Sequence, residues 1–225
     1  QPLAGITFVL EEIIGNLNSR ILGRVVLASV VGAFTVHALI GSQPAFNVPT
    51  ILRPTWTVYV ILPLVAATAA AVGVLFQKMT LHRRERIRTQ SRLPIWMRPL
   101  CGALITWILG AAVFLATRRI GVFGLGYGDL SAALAANLEW KVAALLVLAK
   151  LLATESAYGW GGCGGIFAPT LFMGGLIGVC LGQWAQCWIP LSPSDITLLA
   201  GVGMSACFGA VVRAPLTALL IVFEM

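Results

Sequence analysis

The sequence has 225 residues, 59% hydrophobic and only 10% charged, with a formal net charge of +7. A mean hydropathy of +0.93 lies far above that of a soluble domain and points to a membrane protein. The positive charge is not a nucleic-acid footprint, because the basic residues gather in one short cluster instead of along a face. The lack of a G-x-x-x-x-G-K-[ST] run argues against an ATP-driven pump.

In chain order, the sequence opens with Pro2-Leu3-Ala4-Gly5, an apolar run and the acid pair Glu11-Glu12. Apolar segments follow at Arg20–Ile40, Pro54–Gln77, Arg98–Thr117, Lys141–Thr154, Phe167–Trp188 and Thr197–Val212. A full crossing needs about 20 residues, so the shorter segments, and those cut by glycine or proline, predict tilted and half-membrane helices. Between the second and third lies His82-Arg83-Arg84-Glu85-Arg86-Ile87-Arg88, followed by Arg92 and Arg98. This cluster reads as a cytoplasmic loop, or more weakly as a lipid head-group patch. His37 lies alone in an apolar helix and reads as a packing residue, as do most of the five cysteines, which lack zinc spacing.

The chain closes with Pro215-Leu216-Thr217-Ala218 and an apolar run ending at Glu224, in the register of its opening. Weak internal symmetry of this kind marks transporters built from two related halves, often inverted. The chain begins and ends in mid-pattern, at Gln1 and Met225, and reads as an internal piece of a longer protein.

The most informative run is Gly161-Gly162-Cys163-Gly164-Gly165-Ile166-Phe167-Ala168-Pro169. It opens a stretch with no charged side chain before Asp195. Irregular backbone at membrane depth survives only where it is buried or lines a cavity. A helix start there aims free N–H groups and the positive end of its dipole at an anion. The alternative for the glycines is close helix packing, and for Phe167 ordinary packing; both roles can coexist.

Gly165-Ile166-Phe167-Ala168-Pro169 resembles the G-x-F-x-P signature of the CLC family of chloride channels and anion/proton exchangers. Lys150 and Thr154 match the Lys-x-x-x-Thr approach to it, and Gly124-Leu125-Gly126-Tyr127-Gly128 is similar to the glycine-rich segment before it. Arg213-Ala214-Pro215-Leu216-Thr217 and Pro2-Leu3-Ala4-Gly5 resemble the helix starts of the two family halves. The matches run in family order along the whole chain. The resemblance implies an all-α, polytopic, inverted-repeat membrane bundle. Residues 1–225 would be part of one transmembrane domain, from the eighth to the sixteenth family helix. Residues 1–52 would end the first repeat and 53–225 would form most of the second.

The resemblance further implies transport of chloride or a similar small anion. The protein would be a homodimer in a lipid bilayer, in the bacterial inner membrane, with neither catalytic chemistry nor a cofactor. The anion site would use Gly165, Ile166, Phe167, Ala168 and Pro169, with backbone N–H groups of Ile166 and Phe167 as donors. Family exchangers place a proton-passing acid where Glu12 stands, with Glu11 as helper or bystander. That favours a proton-coupled antiporter over a passive voltage-gated channel; a solvated helix end facing Arg20 and Arg24 is the plainer role for Glu12. Trp160, Cys163 and Glu155 depart from the family pattern. Glu155 is an intramembrane acid, a functional candidate by its position, or else paired with Lys150 or a backbone group. Remote readings remain. Gly126-Tyr127-Gly128 spells part of a potassium filter, but Thr-Val is missing ahead of it. An intramembrane aspartyl protease would need Asp129 and Asp195 to share a proton, whereas Asp195 sits in a Ser-Pro-Ser-Asp run that reads as a helix cap.

Overall fold

In hydrocarbon every backbone N–H and C=O must find an internal partner, so long apolar runs become helices. The computed structural model of the chain describes residues 2–15, 22–41, 54–91, 93–135 and 137–224. These residues form α1 (Pro2–Phe8), α2 (Leu22–Ile40), α3 (Val58–Gln90), α4 (Arg98–Thr117), α5 (Tyr127–Leu134), α6 (Trp140–Gly159), α7 (Phe167–Ala185), α8 (Pro193–Val212) and α9 (Pro215–Phe223). A π-helical turn, Val9–Ile14, continues α1, and a 3₁₀ turn, Ile95–Met97, leads into α4. No strand occurs among the described residues. Among the described residues, six helices are long and apolar enough to cross a membrane. The chain is therefore an all-α, multi-pass integral membrane protein. α1, α5 and α9, with 7, 8 and 9 residues, are too short to cross.

α7 is the central element: Leu171, Phe172, Met173, Leu176 and Val179 are all fully buried. It meets α8 backbone to backbone. A Cβ added at Gly174 would collide with the Gly203 carbonyl oxygen, and one at Gly178 with the Leu199 carbonyl and, at 2.5 Å, the Ala200 Cα. Small residues drive such packing in lipid, where hydrophobic burial gives helices little reason to associate. The same device seats α3 on α8, with a Cβ at Gly73 falling 2.9 Å from the Cys207 carbonyl. It also seats α4 on α6, where one at Gly102 would lie 3.0 Å from the Ser156 carbonyl. α2 lies apart, with Leu27, Phe34 and Leu39 exposed, tied to α1 by the Ser29 hydroxyl donating to the Pro2 carbonyl at 2.7 Å.

Three of the boundaries that differ from the sequence reading change where charged residues lie. The basic cluster is not a loop, since α3 continues through it to Gln90. No glycine or proline interrupts the arginines, and at 33 residues the helix is about 50 Å long against a core of ~30 Å. Its basic end therefore projects beyond the hydrocarbon as helix. α6 runs on past Thr154 to Gly159, which makes Glu155 and Tyr158 helical residues. α8 starts at Pro193, before Thr197, because Ser192 and Asp195 form a reciprocal capping box. The proposed repeat boundary at residues 52 and 53 lies outside the described residues.

The two segments that repeat each other in sequence pack as an antiparallel pair. Glu224, at the end of α9, accepts the Leu3 and Ala4 N–H groups at 2.9 and 3.0 Å. Glu11, past the end of α1, accepts those of Leu216 and Thr217 at 3.2 and 2.9 Å and the Thr217 hydroxyl at 2.9 Å. Each carboxylate satisfies orphan amides at the other helix's start, where the dipole favours negative charge.

Candidate functional site

The glycine run forms the connection from α6 into α7. It turns tightly: the Gly161 N–H donates to the Tyr158 carbonyl at 3.0 Å and the Gly162 N–H to the Ala157 carbonyl at 2.9 Å. Gly161 has φ of +90°, a backbone that other residues rarely adopt. The Tyr158 hydroxyl then donates to the Gly164 carbonyl. The helical ladder of α7 opens with the Thr170 N–H on the Ile166 carbonyl at 3.2 Å. The Ile166, Phe167 and Ala168 amides thus precede the first rung and have no intrahelical acceptor. Pro169 has no N–H to leave orphaned there.

The Thr170 hydroxyl bonds back to the Ile166 and Phe167 carbonyls at 3.0 and 2.8 Å. This fixes the first turn while leaving its amides free. Ala168 and Pro169 are buried, whereas Gly164, Gly165, Ile166 and Phe167 are exposed. The Phe167 ring meets Phe208 of α8 edge-on, centroids 5.1 Å apart. Nothing lies within 4 Å of a Cβ placed at Gly165. Steric need for that glycine therefore does not arise from the described residues.

Lys150 of α6 is only 2% exposed. Its ammonium donates to the Gly121, Val122 and Gly124 carbonyls at 3.0, 3.2 and 2.7 Å. The glycine-rich segment singled out in the sequence is thus wrapped on this lysine. Gly124 and Gly126 supply its positive φ angles of +57° and +77°. The Asp129 carboxylate fixes the same segment, accepting the Gly121 N–H at 2.6 Å and Arg119 at 3.2 Å.

Glu155 is 1% exposed and is not paired with Lys150. Five residues separate them, which turns them to different sides of α6. The partner is Arg83 of α3, with Nε 2.5 Å from a carboxylate oxygen. Gly159 makes room for it, since a Cβ there would lie 2.7 Å from the Arg83 Cδ. The sequence reading missed this partner because it took the basic cluster for a loop. Arg83→Ala would leave a buried carboxylate uncompensated. A cost of about 3 kcal/mol is expected, the low end for a broken buried pair because the guanidinium is half-exposed. Thermal unfolding of the purified protein in detergent checks this, and an unchanged midpoint would show that the pair carries no stability.

Glu12 is exposed and has no ion-pair partner among the described residues. Of its expected basic neighbours, Arg24 makes no such pair with it and Arg20 lies outside those residues. Glu11, beside it, is engaged at α9. The glycine loop and the acid pair therefore sit on different helix pairs. Asp129 is committed to the Gly121 N–H and Arg119 and Asp195 to the cap of α8; they are not joined as a proton-sharing dyad. Gly126-Tyr127-Gly128 starts α5 and does not form an extended filter strand.

The sequence is similar to known proteins along its whole length. The sequence profile of the family described as "Voltage gated chloride channel" matches residues 1–225. The chain belongs to the voltage-gated chloride channel family. It is 32% identical over its full length to a chloride channel protein, ClcB-like, of Ralstonia nicotianae, covering 51% of that protein. It is 32% identical to the voltage-gated ClC-type chloride channel ClcB of Citrobacter koseri, covering 52%. It is 26% identical to the H(+)/Cl(-) exchange transporter ClcA of Vibrio parahaemolyticus, covering 48%. The chain spans about half the length of these chloride channel family relatives.

Proposed function

We propose that the protein moves chloride or a similar small anion across the bacterial inner membrane, in exchange for protons, as a homodimer with one pore per subunit. The observation that carries this reading is the start of α7, where the Ile166, Phe167 and Ala168 amides lack an intrahelical acceptor beside an open glycine loop. Fixed amides replace hydration water without the full positive charge that would trap an anion, as conduction requires. In this reading Gly165 gives the backbone access, Ile166 and Phe167 donate, and Ala168 and Pro169 hold the first turn. Glu12 carries protons, its freedom from any ion pair among the described residues leaving it able to exchange them. Glu11, spent on α9, serves the acid pair only by position.

The passive channel is the second reading, favoured by the names of the ClcB relatives, whereas the ClcA relative is named an exchanger. Reconstituting the complete protein in liposomes separates them. An outwardly directed chloride gradient should drive proton uptake, and Glu12→Gln should abolish that uptake while chloride flux persists. Proton movement unchanged in Glu12→Gln would overturn the role of Glu12. Chloride flux with no proton movement in the unaltered protein would establish the channel instead.

A further inference from the structure

We propose that Tyr158 is a positioning residue for the anion site: it holds the Gly164–Gly165 peptide so that the Gly165 N–H joins the Ile166 and Phe167 amides as a third donor. The proposal rests on the anion reading of the α7 start. It begins with peptide geometry. A trans peptide is planar, and its C=O and N–H point to opposite sides; no cis bond occurs among the described residues. Fixing the Gly164 carbonyl therefore fixes the Gly165 N–H. The Tyr158 hydroxyl captures that carbonyl on the α6 side. The Gly165 amide is thereby directed away from the tethered carbonyl, on a loop whose Gly164 and Gly165 are exposed.

The tether is rigid at its own end. Tyr158 belongs to the last turn of α6, and its backbone carbonyl receives the Gly161 N–H at 3.0 Å. Gly162 returns to the Ala157 carbonyl at 2.9 Å, and a Cβ at Gly162 would lie 2.6 Å from that oxygen. Cys163 alone separates this closed turn from the tethered carbonyl. The need for a tether is physical. A peptide flanked by two glycines is the easiest of all to rotate. Rotated, it would turn the negative end of its dipole toward an anion and withdraw a donor. A phenylalanine would fill the same space without the hydroxyl.

Tyr158→Phe in the complete protein should weaken chloride binding about three- to tenfold by calorimetric titration, the range for one ordinary hydrogen bond. The midpoint of thermal unfolding without chloride should stay in place, since the ring remains. Replacing the Gly165 amide by an ester should weaken binding similarly, and in that background Tyr158→Phe should add less than about twofold. Full additivity of the two changes, or unaltered affinity in Tyr158→Phe, would overturn the role of Tyr158. An ester at Phe167 tests the site itself and should cost about tenfold or more. A weakened Phe167 ester beside an unaltered Tyr158→Phe sinks only the tether. An unaltered Phe167 ester sinks the anion reading and the tether with it.

Discussion

Lys150→Met should be the most damaging single change in the bundle, costing about 3–5 kcal/mol of stability. The substitution keeps much of the side-chain volume and removes three charge-assisted donors, at 3.0, 3.2 and 2.7 Å from their carbonyls. Each hydrogen bond to a charged group is worth roughly 1.5–3 kcal/mol, and relaxation of the loop recovers part of the sum. The Phe172 ring, its centroid 5.2 Å from the ammonium, would lose a cation–π contact as well. Such a loss is a large share of the ~5–15 kcal/mol typical of a folded domain. Lys150→Arg keeps the charge, but its planar fork does not match three carbonyls converging on one point, so an intermediate loss is expected. Thermal unfolding in detergent and the monodisperse fraction on gel filtration read the effect. A methionine variant as stable as the parent would mean that the glycine-rich segment holds itself in place.

The second large effect is expected at the α7–α8 crossing. Gly178→Ala places a methyl 2.5 Å from the Ala200 Cα and closer still to the Leu199 carbonyl, so the helices must separate. Overpacking typically costs ~1–3 kcal/mol, and the upper end is expected because backbone, not a flexible side chain, must give. α7 carries the orphan amides at its start, so anion flux should fall along with stability. Gly32→Ala in α2 is the matching control. Among the described residues nothing lies within 4 Å of its added methyl, and a gain of about 0.4–1 kcal/mol is expected there. Equal effects at the two positions, measured by unfolding and chloride flux, would show that helix propensity and not the close crossing governs.

The legible part of this structure follows from strong local signals. α4 runs over Arg98–Thr117, as its apolar run predicts, and α7 begins at Phe167, where the glycines stop and Pro169 permits a helix start. The capping residues of α8 could be read from Ser192 and Asp195. What was not legible is long-range pairing between helices. Arg83 looks like solvated charge in one dimension, and only the continuation of α3 delivers it to Glu155. Tyr158 has no motif around it; its meaning comes from a loop folding back on the preceding helix. Glu11 and Glu12 are adjacent letters with different fates, one bound across the fold to α9 and one exposed, a difference invisible to periodicity.

The exchanged caps of α1 and α9 also set a timetable. Their partners are 205 to 221 residues apart. At a synthesis rate of about 5–20 residues per second, α9 follows α1 out of the ribosome by roughly 10–45 s. Through that interval the first amides of α1 have no carboxylate from α9, and Glu11 has no helix start to serve. The clasp therefore forms only after every span between α1 and α9 has been made. An error in the intervening spans that keeps α1 and α9 apart leaves two short helices with unmet backbone groups at their starts.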